Sequence, residues 1–203
     1  MTELLVPIII ALITSVVGPT LVEWVKKQRD PKPKDPLKDA IDHNDVIEQQ
    51  LDVMLKELNC NQIYIAQFHN GGHFYPTGKS IQKFSIFHEV TTPGSPSIKS
   101  TFQNIPVSLF SKPLSILYDQ GEILVKEASN IDEMGLAAFC PDIKYKSIYI
   151  LSIQDLDGRI LGVMGIYYIE KQHTLTKDEW IFIRQKLGAI GSIMSNYLHN
   201  KKN

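Results

Sequence analysis

The chain has 203 residues and a near balance of 21 Lys and Arg against 22 Asp and Glu, giving a formal charge of −1. That balance excludes a global basic field for nucleic acid. Its two cysteines, Cys60 and Cys140, form no C-x-x-C pair and no Cys/His ligand cluster, so they read as small buried residues of a reducing compartment.

The first element in chain order is the segment from Leu4 to Val22, almost wholly apolar, followed by Trp24 and then by Lys26, Lys27, Arg29, Lys32 and Lys34. At about 1.5 Å per residue, a helix from Leu4 to Val25 covers roughly the 30 Å of a bilayer's hydrocarbon core. Residues 1–25 are therefore expected to form a single transmembrane anchor whose partner is membrane lipid, with Gly18-Pro19 predicting a kink. Basic residues crowd only the C-terminal flank, which predicts a single-pass orientation with the N-terminus out and the rest of the chain cytoplasmic. Residues 26–36 carry Pro31, Pro33 and Pro36 among the lysines and read as an extended, semi-stiff spacer.

Residues 37–200 are the size of one domain. From Leu37 to Leu58, apolar residues recur at three and four, predicting an amphipathic helix, broken or re-capped near Asn44. The period then changes: Ile63 to Phe68 reads as a strand ending in the turn signal His69-Asn70-Gly71-Gly72, and Ser80 to Val90 as its return. Thr91 to Pro96 is a loop, and Ile105 to Tyr118 predicts a short helix interrupted by Pro106 and Pro113. A short strand is expected over Glu122 to Glu127 and a short helix over Ile131 to Phe139. Ser147 to Gln154 and Ile160 to Ile169 form a hairpin turning at Asp157-Gly158. Thr176-Lys177-Asp178-Glu179 is a capping box opening a last helix to about His199, with Trp180, Ile183, Leu187, Ile190, Met194 and Tyr197 as its buried stripe.

This order, and above all the run Ile153-Gln154-Asp155-Leu156-Asp157-Gly158-Arg159-Ile160-Leu161-Gly162-Val163-Met164-Gly165-Ile166 before an acidic-capped helix, resembles the GAF domain, a relative of PAS. The resemblance covers about Leu37 to Leu198. It implies an α+β fold, a GAF/PAS-like central antiparallel sheet with flanking helices, here preceded by one transmembrane helix. The first and last helices are expected on one face, with a ligand pocket, where a member uses one, on the other. Relatives bind cyclic nucleotides, tetrapyrroles, small organic molecules or nothing, and the cofactor here is left unknown. The Cys-His arrangement of bilin attachment is absent after Cys140, where Pro141, Asp142 and Ile143 follow. The resemblance also implies a homodimer through the outer flanks of the first and last helices.

The candidate ligand-binding residues are His69, Asn70, His73, Tyr75 and Lys79 of the glycine-rich segment, with His88 on the following strand. They combine polar heads and a flat ring with glycines that let backbone approach a ligand. The blander reading is a long hairpin loop in which His69 and Asn70 bond the turn backbone. No G-x-x-x-x-G-K-[ST] sequence opens a helix here, and the glycine pair between His69 and His73 denies them helical spacing, so neither a phosphate loop nor a metal site is expected. No catalytic residue and no enzyme activity are expected. The function expected is a membrane-anchored, cytoplasm-facing sensory or regulatory module that binds a small ligand or partner protein without catalysis. The alternatives are a membrane scaffold without a ligand, such as a phage or mobile-element accessory protein, or an enzyme using His69, His73 or His88.

Overall fold

The computed structural model describes residues 35–70, 83–125 and 145–200. The expected anchor, most of the spacer and the helix expected at 131–139 lie outside the described residues, as do His73, Tyr75 and Lys79. Among the described residues no helix is long and apolar enough to cross a membrane. The chain divides into two units, Met1–Ile41 and Asp42–Asn203.

Helix α1 (Pro36–Glu57) starts in the first unit and continues into the second. Asp35 is its N-cap: the Leu37 N–H donates to Asp35 Oδ1 at 3.0 Å, and Pro36 takes the first helical position, where a missing N–H costs nothing. The break expected near Asn44 does not occur. Asn44 and Asp45 simply face solvent, and the stripe resumes as Ile47, Leu51, Met54 and Leu58, all buried. The helix ends at Asn59, whose φ of +46° is the left-handed turn-out that Asn tolerates.

Among the described residues six strands follow: β1 (Gln62–His69), β2 (Lys83–Thr91), β3 (Ile105–Pro106), β4 (Glu122–Val125), β5 (Ser147–Gln154) and β6 (Ile160–Tyr168). They form one antiparallel sheet in the order β3-β2-β1-β6-β5-β4. Between β3 and β4 lie a 3₁₀ turn (Val107–Phe110) and helix α2 (Ser111–Gln120), closed by Gly121 at φ +78°. The single helix expected over 105–118 is thus split. Pro106 has no N–H for an inner ladder and sits on edge strand β3, while Pro113 falls in the first turn of α2, where it is harmless.

The β5–β6 hairpin turns one residue earlier than expected. Gly158 N–H donates to the Asp155 carbonyl at 3.1 Å, so Leu156 and Asp157 are the central pair and Gly158, at φ +78°, follows them. Asp155 Oδ1 accepts from the Asp157 and Arg159 amides at 2.9 and 2.8 Å and holds the loop. Helix α3 (Lys177–Asn200) opens with the expected capping box: Glu179 N–H donates to Thr176 Oγ1 at 3.3 Å and Thr176 N–H to Glu179 Oε2 at 2.7 Å. In its stripe Ile183, Ile190 and Met194 are buried, and Trp180, Leu187 and Tyr197 half-buried.

Strand alternation distributes the core over two faces. Ile63 and Ile65 of β1, Tyr149, Leu151 and Ile153 of β5, and Met164, Ile166 and Tyr168 of β6 pack with the buried stripes of α1 and α3. The intervening residues, among them Tyr64, Ala66, Ile148, Ile150, Val163 and Tyr167, face the other way and meet the middle segment. Two irregularities set which residues go where. Register shifts beside Phe87 and beside Leu161 each add one residue, so that His88 and Leu161 join the helix face.

Candidate functional site

On the face away from α1 and α3, the middle segment closes over the sheet around a cavity of about 60 Å³. Tyr64, Ala66 and Phe68 line it from β1, Phe84 and Ile86 from β2, and Ile123, Ile150 and Val163 from β4, β5 and β6. Its roof is Ile98 and Phe102 of the loop after β2, Phe110 of the 3₁₀ turn, and Pro113, Leu114 and Leu117 of α2. Phe84 stands edge-on to Phe110 with centroids 5.3 Å apart and to Phe68 at 6.4 Å, the arrangement aromatic quadrupoles prefer. Among the described residues, the one polar atom that a lining side chain carries is the Tyr64 hydroxyl, which is 3.0 Å from the Tyr167 hydroxyl. The chain leaves the described residues at Val125 and returns at Tyr145, and both are buried in this same cluster.

The roof is held by one carboxylate. Glu89 Oε1 accepts from Gln62 Nε2 at 2.7 Å and from the Ile98 N–H at 2.8 Å, while Oε2 accepts from the Ser97 hydroxyl and from the Lys99 N–H at 3.3 Å. Charge-assisted bonds of this kind cap the turn that begins at Ile98 and fix Ile98 and Phe102 over the cavity. Gln103 adds a second tie, donating from Nε2 to the Ile86 carbonyl at 2.8 Å.

The histidines singled out in the sequence sit elsewhere. His69 and His88 are both buried on the helix side of the sheet, so neither lines the cavity. His69 Nε2 is 2.8 Å from Ser85 Oγ, which also accepts the Asn104 N–H at 2.8 Å, and the His69 ring is edge-on to Phe87. Burial, and then the positive charge of Lys83, hold the His69 imidazole below its ordinary value. His88 Nδ1 has no hydrogen-bond partner among the described residues, and Glu48 of α1 is 3.8 Å away. Burial, then Lys99 and His43, push the His88 pKa down to about 4. Asn70 is half-buried at the end of β1. The structure therefore does not bring His69 and His88 to one polar site with the cavity.

The remaining reactive groups among the described residues are quiet. Cys60 is buried, and desolvation raises its thiol to about 12, which leaves it un-ionised at neutral pH. Among the described residues no three His, Cys, Asp or Glu side chains come together as metal ligands. A tetrapyrrole does not fit the cavity as the described residues form it: its volume of about 60 Å³ is too small, and the described side chains that line it carry no charge.

A second depression, wider and more open at about 380 Å³, lies on the helix side between α3 and the β4 edge. Trp180, Arg184, Leu187 and Gly188 form one wall, with Glu122, Ser152 and Gln154 opposite. The Arg184 guanidinium stands 5.8 Å over the Trp180 ring and 4.0 Å from Glu122.

The residues that line the cavity were not among the candidates singled out in the sequence. The signal was present in the alternation Tyr64, Ala66, Phe68 and in Phe84, Ile86, but nothing in one strand says which of its faces meets a helix pair and which a roof.

No protein-family model matches the chain, and no curated protein matches it by sequence. Solved structures do. The blue-light absorbing form of the PixJ GAF domain of Thermosynechococcus elongatus superposes with a TM-score of 0.62 at 13% identity, over 82% of this chain and 92% of that one. A GAF domain/HD domain protein from Geobacter sulfurreducens gives 0.58 at 11% identity, over 77% and 94%. The GAF domain of an Acinetobacter phosphoenolpyruvate-protein phosphotransferase gives 0.56 at 9% identity, over 76% and 82%. With the antiparallel six-stranded sheet and its flanking helices, these likenesses establish that the chain has the GAF fold.

Proposed function

We propose that the chain is a membrane-tethered sensory or regulatory module, cytoplasm-facing, that binds a small ligand through its GAF-fold domain and makes no covalent change. One observation carries the reading: an aromatic-roofed cavity on the sheet face opposite the helix pair. Among the neighbours, the PixJ GAF domain has a blue-light absorbing form. Among the described residues, the Cys60 thiol, pushed up to about 12, and His69 and His88, both buried away from the cavity, lend the cavity no nucleophile or base. Tethering is supported by Leu4 to Val22 and the basic residues after it. Two copies then pair along the outer flanks of α1 and α3, where Val46, Val53 and Ile181 are exposed, and tethering in two dimensions raises their effective concentration.

The test is a melting scan of the full-length chain in lipid nanodiscs against a panel of metabolites. A dose-dependent rise with one compound supports the reading. Carbonate extraction checks the tether, since release of the chain into the supernatant removes it.

A second reading, a scaffold that recruits a protein partner, is favoured by the mixed groove along α3. It predicts that Arg184→Glu releases a co-purifying partner while melting temperature and ligand response stay unchanged.

A further inference from the structure

The lining of the cavity selects its guest. Among the described residues, every side chain facing it from the sheet is aliphatic or aromatic, and the roof adds Ile98, Phe102, Phe110, Pro113, Leu114 and Leu117. A charged or strongly polar guest placed here exchanges water for hydrocarbon with no hydrogen bond in return, a cost of several kcal/mol per polar group. The single hydroxyl, on Tyr64, is already engaged at 3.0 Å with Tyr167 and so offers little compensation. Water fares no better, because a buried water needs two to four polar partners, and apolar cavities stay dry. Size sets the other bound. An engineered apolar cavity of about 150 Å³ holds one benzene ring, whereas this one is about 60 Å³. A xenon atom or a compact aliphatic molecule fits as it stands, and a single ring enters only if Leu114 and Pro113, both half-buried on α2, give way.

Resting on the ligand-binding reading above, we infer that the ligand class is a small, uncharged, apolar molecule of no more than one ring, bound between Phe84, Phe110 and Leu117. As the described residues line it, this pocket excludes nucleotides, amino acids and tetrapyrroles by charge and volume. Ile98 and Phe102 are held by the Glu89 bonds and Leu117 by α2, so a guest acts on the sheet through Tyr64, Ala66 and Val163 and on the surface through α2.

The experiment uses the full-length chain in nanodiscs, with xenon, toluene and indole as apolar probes and a set of nucleotides and amino acids as polar ones. Toluene at ten times its Kd is expected to raise Tm by about 3–6 °C. Ala66→Leu, which fills the cavity, is expected to abolish that rise and the xenon chemical-shift response. Leu117→Ala, which enlarges it, is expected to tighten toluene and to admit indole. The two variants move binding in opposite directions, so partitioning into the lipid cannot imitate the pattern, and Leu117→Ala keeps the test open if Ala66→Leu fails to fold. A polar compound that raises Tm and loses its effect in either variant overturns the apolar assignment while leaving ligand sensing standing. No response to any probe of either class overturns both. A toluene response equal in all three chains overturns the pocket assignment.

Discussion

His88 provides the sharpest check on the packing of α1 against the sheet. Its ring is buried, its Nδ1 has no hydrogen-bond partner among the described residues, and its pKa lies at about 4 against about 6.5 for an unfolded imidazole. Because the folded value is depressed, the folded state resists the proton that the unfolded chain accepts. The stability is fully present above pH 6.5 and is lost as pH falls towards 4. The loss amounts to about 2 kcal/mol at pH 5 and about 3 kcal/mol at pH 4. These are ceilings, since the Glu48 carboxylate at 3.8 Å favours the charged ring, opposing burial and the charges of Lys99 and His43. The perturbation is His88→Phe, which keeps a flat ring and cannot titrate. Urea unfolding is followed by Trp180 fluorescence in a Trp24→Phe background at pH 7.5, 6, 5 and 4.2, and the difference between parent and variant is read at each pH. The difference should shift in the variant's favour by 2–3 kcal/mol across this range, and Glu48→Gln should enlarge the shift. A difference that stays within about 0.5 kcal/mol from pH 7.5 to 4.2 refutes the argument, because a ring that gains its proton equally in both states is not desolvated beneath α1.

Three further substitutions probe the sheet, the roof and the last helix. Gly165 faces Tyr64 across the β1–β6 ladder, and a Cβ there meets the Tyr64 ring, so Gly165→Ala should cost about 1–3 kcal/mol in urea unfolding and weaken toluene binding by displacing a cavity wall. Glu89→Ala removes the acceptor of the bonds from Gln62, Ser97, Ile98 and Lys99 and should cost about 2–3 kcal/mol, with faster hydrogen exchange at the Ile98 and Lys99 amides as the local readout. Thr176→Ala dissolves the capping box and should cost about 1 kcal/mol by the same unfolding assay. Burial alone raises the Glu179 carboxyl, but the Thr176 bonds and then His173, 3.0 Å away, outweigh it and hold Glu179 low. Its contribution is therefore intact at neutral pH and fades as pH falls below the ordinary carboxylate range, and Thr176→Ala should flatten that fade.

Elements whose own residues carry the whole signal were legible in the sequence. The period-two runs of β1, β5 and β6, the capping box of α3 and the stripe Ile47, Leu51, Met54 and Leu58 are local patterns, and the structure places them as expected. Where a neighbour decides, the sequence was silent. β3 is two residues long and exists only because Ile105 and Pro106 reach Phe84 and Lys83 across the edge of the sheet. The gap at Asn44 looked like a break because a helix interior and an exposed flank are indistinguishable until the sheet beneath is known. The polar, glycine-rich segment drew attention to His69, while the cavity is lined by residues that read individually as ordinary core. A pocket of hydrophobic side chains differs from a filled core only in what is missing from it, and sequence does not record a void.

The sheet also limits how anything bound in the cavity is felt elsewhere. β1 and β6 are its two central strands, and each carries the cavity on one face and the helix pair on the other. Tyr64 and Ala66 alternate with Ile63 and Ile65, and Val163 adjoins Met164, which packs with Met54, Ile190 and Met194 in the helix-side core. Close packing passes displacements on without absorbing them, so a wall residue pushed by a guest moves a backbone that α1 and α3 rest on. Glycines sharpen this route. Gly162 approaches the Ala66 carbonyl so closely that an added Cβ lies 2.6 Å from it, and Gly165 stands against the Tyr64 ring, leaving the β1–β6 seam with little room to yield. A guest that shifts Tyr64 is thus transmitted to the helices through the β1–β6 seam, where these close approaches leave little room to yield.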